Sequence, residues 1–337
     1  MNKTTLRASA FAMSYLSNQE KVRDMVRALD IGLRRQPHHK APGGINVTAV
    51  CFQPQRCKSI SDYITKMNSY IAEPAAQGSA LVAFPELCGM ETMTLMPRFS
   101  NILSDLHRLK SADEEEKREA FFTVCETVQG FVSEIFLNVF SQLARSHRMI
   151  IAAGGIYQIE NGKLYNRQFL FSEEGDVIGI QDKLFLSPAE RMLGVTAGEK
   201  LVPGVSRIGK IALLGGEVAQ HYEPFWIASR LRCRYAVTSA SPFGSPDLEL
   251  LRFRAQEQEL CILAPGLVGG RELRLSFDSP AGIFVPRDLC DDQSGVLAGG
   301  CDRLITGKVD FVRCADSFDL YSADKNIRFF SNLVKDN

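Results

Sequence analysis

The chain has 337 residues, 39 basic and 39 acidic side chains, and a formal net charge of zero. That length suits about two domains of roughly 150 residues, or one layered α/β unit. With 45% apolar and 23% charged residues, the composition excludes a disordered, collagen-like or coiled-coil chain. The balanced charge offers no positive field for nucleic acid or an anionic membrane surface, and no apolar run reads as a bilayer span.

Nine cysteines lie at 51, 57, 88, 125, 233, 261, 290, 301 and 314. None forms a Cys-x-x-Cys pair, and none stands at a zinc-ligand spacing from histidine. Most lie in apolar stretches, so buried reduced thiols and a cytoplasmic location are expected, with no metal or other cofactor. Lys3 and Arg7 precede a short apolar patch at 8–16, too short and too polar for a signal peptide.

Residues 17–36 predict an amphipathic helix. Val22, Met25, Val26, Leu29 and Leu33 recur at three- and four-residue steps, and Ser17 with Glu20 reads as a capping box. Residues 36–44 are rich in Pro and Gly and form a linker, and His38 and His39 within it read as solvated rather than metal-binding. Strands are expected at 45–52, 80–84, 149–157, 210–214, 235–238, 261–264, 282–285 and 307–312, and a hairpin joins 167–172 to 177–181. Helices are expected at 59–76, 117–147, 224–231 and 248–259. Ile60, Tyr63, Ile64, Met67 and Ile71 mark the buried face of the first of these. Residues 91–116 interrupt the alternation and read as an inserted, mostly surface segment. Strands alternating with helices and joined by hairpins mean an α/β fold with a mixed sheet.

Three features stand at strand ends, where α/β sheets gather ligands. Glu86 follows a buried strand through Pro85. Lys183 follows another strand. Gly215-Gly216 closes the apolar run 211–214. A glutamate and a lysine so placed can pair and shift protons. From spacing alone the other reading is a surface glutamate and a surface lysine that never meet.

Six segments carry a resemblance. Leu81-Val-Ala-Phe-Pro-Glu-Leu-Cys-Gly89, Tyr165 to Arg191, Gly209-Lys-Ile-Ala-Leu-Leu-Gly-Gly-Glu217, Arg254 to Ala264, Ser279-Pro-Ala-Gly-Ile-Phe-Val-Pro286 and Ile305-Thr-Gly-Lys-Val-Asp-Phe311 resemble, in order, the segments of the nitrilase, or carbon–nitrogen hydrolase, superfamily. The resemblance implies a four-layer α–β–β–α sandwich. It implies an N-terminal extension at 1–43, a carbon–nitrogen hydrolase domain at 44–320 and a tail at 321–337. It also implies a homo-oligomer, dimer or higher, paired through outer helices; in the helix at 224–231, Phe225, Trp226 and Ile227 offer an aromatic anchor for such a face, and Trp226 reads equally as intrachain core. The family attacks a nitrile or amide carbon with a cysteine thiolate. By segment, Glu86 matches the general base and Lys183 the lysine that stabilises the anionic intermediate. Glu190 matches a second glutamate that positions substrate or lysine, and Glu217 is grouped with it as substrate-binding.

The nucleophile's position, counted without gaps from Gly209, falls on Gly216, and Val218 replaces the acidic residue that follows. Cys233 lies beyond the next helix, at the wrong end of a strand, and Ser206 lies before the strand. Glycine at 216 would relieve the backbone strain that a nucleophile's tight turn stores. The leading expectation is a non-hydrolytic relative that binds a small amide, carboxylate or amine, or serves as an assembly subunit. The alternative is an active amide or nitrile hydrolase with another nucleophile or an activated water. Nucleic acid and membrane are not expected as partners.

Overall fold

The computed structural model describes residues 18–29, 31, 44–97, 99, 104, 112–240, 247–273 and 276–311. The described residues begin with helix α1, Gln19–Ala28. Its N-cap is Asn18, whose side chain accepts from the Lys21 amide, and it ends at Leu29. The expected helix to residue 36 is therefore shorter at Leu29, and Ser17 and the linker lie outside the described residues. Val22 and Val26 bury its apolar face.

Strand β1 is Ile45–Phe52, and helix α2, Ile60–Ala76, starts at the Ser59 cap. Strand β2 is Ser79–Ala83. Helix α3, Glu114–His147, has Asp113 as its N-cap, three glutamates in its first turn and Arg145 and His147 in its last, a charge order that suits the helix dipole. By length and composition α3 could cross a membrane, which corrects the sequence reading that no stretch could. Here its apolar stripe, including Phe131, Ile135, Phe136 and Phe140, is built into the core.

Strands β3, β4 and β5 are Ile150–Glu160, Lys163–Phe171 and Val177–Asp182, a meander. The β3–β4 turn is Asn161-Gly162, both at positive φ, the pair that two-residue hairpins favour. The sequence reading found only the β4–β5 hairpin. Helix α4 is Pro188–Met192, and strands β6 and β7 are Gly204–Ser206 and Gly209–Gly215. Helix α5 is Glu223–Arg230, β8 is Cys233–Thr238 and α6 is Leu248–Gln258. Strands β9 to β14 are Cys261–Ala264, Gly266–Gly269, Phe277–Ser279, Ala281–Phe284, Val296–Gly300 and Leu304–Val309.

Two mixed sheets form. One runs β11-β10-β1-β2-β3-β4-β5 with β14 also on β1, and the other runs β13-β12-β9-β8-β7-β6. Successive strand residues face opposite sides, and the burial pattern follows that period. Val47, Ala49, Leu81 and Ala83 meet Ile211, Leu213, Tyr235 and Leu263 between the sheets. Val50, Phe52, Val82 and Phe84 face α1, α2 and α3, while Ala212, Leu214, Ala236 and Ile262 face α5 and α6. The layers are α–β–β–α, as the resemblance implies.

One expectation needs correction. Residues 91–96 are buried, not surface: Glu91, Thr92, Met93, Thr94, Leu95 and Met96 sit inside, most of them in a 3-10 turn, Cys88–Leu95. The reason is a buried ion pair. Glu91 takes two hydrogen bonds from Lys66 Nζ at 2.8 and 2.6 Å and one from the Cys57 thiol at 3.2 Å. The eight described cysteines are free and seven of them are buried, as expected of most; Cys301 is exposed. Cys314 lies outside the described residues.

Candidate active site

The site forms where strands of both sheets end. Glu86 stands three residues past β2 and Lys183 directly after β5. Glu190 lies on α4, and Gly215-Gly216-Glu217 ends β7. The Glu86 amide donates to Ser239 Oγ at 3.0 Å, just past β8, which ties the first sheet to the second.

Lys183 is the centre. Its Nζ donates to Glu86 Oε1 at 2.9 Å and to Glu190 Oε2 at 2.8 Å, and it pairs with Glu217 Oε2 at 2.5 Å. Three carboxylates thus surround one ammonium, Glu86 and Glu190 through hydrogen bonds and Glu217 through an ion pair. Glu86 Oε1 also accepts from Asn166 Nδ2 at 2.6 Å, and its Oε2 accepts from the Gly216 amide at 2.9 Å. Glu190 is fixed by a capping box: Ser187 Oγ caps the α4 amide of Glu190, and Glu190 Oε2 accepts from both the Ser187 amide and its hydroxyl at 2.9 Å. Asn166 Nδ2 reaches Glu190 Oε1 at 2.8 Å, so one amide bridges two carboxylates.

The sequence reading named Glu86, Lys183, Glu190 and Glu217, and the structure brings all four together. It did not name Asn166 or Ser239. The signal for Asn166 was present: Leu164, Asn166, Gln168 and Leu170 share one buried face of β4, and two amides in the middle of an apolar face need partners.

Burial pushes the Glu86 carboxyl up to about 7, and Lys183 only partly offsets this, with Glu190 and Glu217 adding to the rise. Burial works to lower the Lys183 pKa, but Glu86, Glu190 and Glu217 outweigh it and hold the ammonium above the ordinary lysine value. One positive charge faces three carboxylates, and a Glu86 poised near neutral pH lets the cluster hold a proton.

The backbone at the end of β7 corrects one physical expectation. Gly216 has φ −80° and ψ −53°, a conformation open to any residue. The left-handed residue is Gly215, at φ +80°. A Cβ on Gly215 would stand 3.3 Å from Lys183 Cγ and 3.4 Å from Glu86 Oε2. Strain relief by glycine therefore applies at 215, and a side chain from 215 would reach between lysine and base.

The nearby sulfurs point elsewhere. Cys88, two residues from Glu86, donates to the Ala153 carbonyl at 3.0 Å, and burial raises its pKa strongly. Cys233 begins β8, whereas the site stands at that strand's other end, and burial pushes its thiol up to about 11. Phe185 packs against the cluster that holds Leu214 and Val218. It stacks on His221, with centroids 3.7 Å apart.

Comparison with known proteins agrees with this architecture. The chain matches the carbon–nitrogen hydrolase family across residues 47–220, just over half of its length. A probable hydrolase, YhcX of Bacillus subtilis (strain 168), is 22% identical over 287 residues, and the chain spans about half the length of that curated relative. Saccharomyces cerevisiae Nit3, a member of branch 10 of the nitrilase superfamily, superposes with a TM-score of 0.59 at 15% identity, over 85% of this chain and 97% of the other. A carbon–nitrogen hydrolase from Helicobacter pylori G27 gives 0.58 at 17% identity, over 86% and 98%. An amidase from Nesterenkonia sp. gives 0.56 at 17%, over 86% and 97%. The chain belongs to the carbon–nitrogen hydrolase family.

Proposed function

We propose that this chain is a carbon–nitrogen hydrolase relative that binds a small molecule at Glu86 and Lys183 without hydrolysing it. The observation that carries the reading is the state of Lys183. An oxyanion-stabilising lysine must keep one N–H for the oxygen on which charge develops. Here the Glu217 carboxylate stands 2.5 Å from that ammonium as a third ion pair. Behind it, positions 215 and 216 carry no side chain that could attack, and Cys88 and Cys233 are held away as buried thiols. A thiolate mechanism needs a cysteine whose pKa is lowered, not raised.

The test is covalent trapping. The protein is incubated with fluoroacetamide at neutral pH and its intact mass is followed. The reading expects no adduct that depends on Glu86. An adduct mapped to a residue beside Lys183, and lost in Glu86→Gln, overturns it.

One observation favours a second reading. A Glu86 carboxyl near 7 is a well-matched general base at neutral pH. It supports hydrolysis by an activated water, and turnover assays separate the two. A homo-oligomer is also proposed, with a second copy on α5 and α6. What supports it is the exposure of Tyr222, Trp226, Ile227 and Phe253 on or beside those helices. Light scattering at micromolar concentration that reports a monomer overturns it.

A further inference from the structure

We propose that the site takes a small primary amine as its ammonium ion, held by Tyr157 Oη, Asn166 Oδ1 and the carboxylates beside them, with its alkyl chain on an apolar wall next to the charged cluster. The inference rests on the reading that this site binds rather than hydrolyses, and it names the ligand class.

Two buried polar atoms carry it. Tyr157 Oη and Asn166 Oδ1 have no hydrogen-bond partner among the described residues, and Tyr157 is 4% and Asn166 0% exposed. The two belong together. Tyr157 on β3 stands directly opposite Asn166 on β4, and such cross-strand neighbours share one face of the sheet, with Cβ atoms about 5 Å apart. That face carries the site, because Asn166 Nδ2 donates to both Glu86 and Glu190. Asn166 Oδ1 is bonded to the same carbon as that nitrogen, so it lies beside both carboxylates. Burial, and after it the charges of Glu190 and Glu86, hold the Tyr157 phenol well above its ordinary pKa. Buried polar atoms without partners are uncommon unless a ligand or water completes them.

An apolar wall adjoins these atoms. Leu87, Leu164, Leu186 and Val195 pack with Tyr157 in a cluster of their own. Leu87 follows Glu86, Leu164 stands two residues before Asn166, and Leu186 precedes Ser187. The segments that build the charged cluster therefore build the wall as well. Phe121, partly buried, packs on this wall with its ring edge-on to Tyr157, centroids 5.1 Å apart.

Hydrogen-bond sense and charge select the ligand. Asn166 Oδ1 can only accept, and a phenol oxygen can accept. An ammonium brings N–H donors for Asn166 Oδ1, for Tyr157 Oη and for a carboxylate oxygen. Three carboxylates around one lysine leave the local field negative, which favours a cation and opposes another anion. A carboxylate ligand would also set its lone pairs against Asn166 Oδ1. An alcohol or an amide can donate there but leaves the charge unbalanced.

The experiment uses the full chain, with butylammonium as the probe. Butanol, butyramide and butyrate are compared at matched ionic strength, and tetramethylammonium serves as a cation without N–H donors. Binding is read by calorimetry and by the shift in thermal midpoint. Butylammonium is expected to bind most tightly and to raise the midpoint. It is also expected to exceed methylammonium, which has no chain to lay on the wall. Tyr157→Phe removes one hydroxyl and keeps the ring. It is expected to unfold at or above the wild-type midpoint, because that hydroxyl bonds nothing in the fold, and to bind butylammonium about tenfold more weakly, as loss of a hydrogen bond to a charged group implies. Asn166→Ala is expected to lose binding, and Tyr157→Phe serves if that variant does not fold. Equal butylammonium affinity in wild type and Tyr157→Phe overturns the proposal. So does tighter binding of butyrate or butyramide, tetramethylammonium binding as well as butylammonium, or no binding of any probe. Ammonia release from butyramide would overturn the non-hydrolytic reading but would not alter the comparison of butylammonium between wild type and Tyr157→Phe, so the two failures are separable.

Discussion

The Glu217 carboxylate stands 2.5 Å from the Lys183 ammonium. It is the third carboxylate on an ammonium that already donates to Glu86 and Glu190. One positive charge thus faces three carboxylates. Its consequences for stability and pH can be measured separately.

The first concerns pH. The Glu86 carboxyl has a folded value of about 7 against an ordinary 4.5, because burial disfavours its charge. Between those values the folded state binds more protons than the unfolded state, so this residue's contribution to stability falls as pH rises through 4.5 to about 7, and is flat above. Urea unfolding of wild type and Glu86→Gln across pH 4 to 8 is expected to show a smaller downward slope in the variant. Parallel slopes would contradict the assignment.

A second prediction concerns Lys183. Lys183→Met leaves Glu86 and Glu190 buried without their cation. Breaking one partner of a buried pair costs on the order of 3–5 kcal/mol. The deficit against wild type is expected to shrink as pH falls, because protonation removes the stranded charge. Denaturation midpoints at pH 5 and pH 8 check this, and a deficit that grows at pH 5 would contradict it.

Gly215→Ala tests the turn. Alanine at φ +80° is expected to cost about 1–2 kcal/mol, with its methyl tight against Lys183 Cγ. A stabilising effect, as glycine-to-alanine gives at ordinary angles, would show that the turn is built otherwise.

Glu91→Ala should be as costly as the lysine change. It strands Lys66, whose Nζ lies over the Phe52 ring at 4.2 Å and donates to the Gln53 carbonyl at 2.7 Å. A loss on the order of 3–5 kcal/mol is expected, with loosening of the 53–58 loop seen by hydrogen exchange at the Gln55 and Cys57 amides, which now bond Glu91 and Thr94. Unchanged exchange there would count against the clamp.

Much of the fold was legible because strand and helix periods survive in the sequence. The α2 face Ile60, Tyr63, Ile64, Met67 and Ile71 is fully buried as its spacing implies, and β1 and β9 have the expected bounds. What escaped was decided by partners distant in sequence. Residues 91–96 look polar enough for the surface until Lys66 is brought to Glu91. Asn161-Gly162 was a hairpin signal that went unread. In the site, segment order identified Glu86, Lys183 and Glu190. Whether Gly215 or Gly216 aims at them depends on backbone angles, and a residue count carries no φ. The closure of Glu217 on Lys183 depends on the sandwich bringing β5 and β7 to one end.

The most direct measurement is turnover. Purified protein is incubated with a panel of aliphatic amides, ureido acids and nitriles, and ammonia release is followed against blank and against Glu86→Gln. The account predicts wild type at the level of both controls. Ammonia release well above blank, abolished in Glu86→Gln, would contradict it and would mean that an activated water or another nucleophile works beside Lys183.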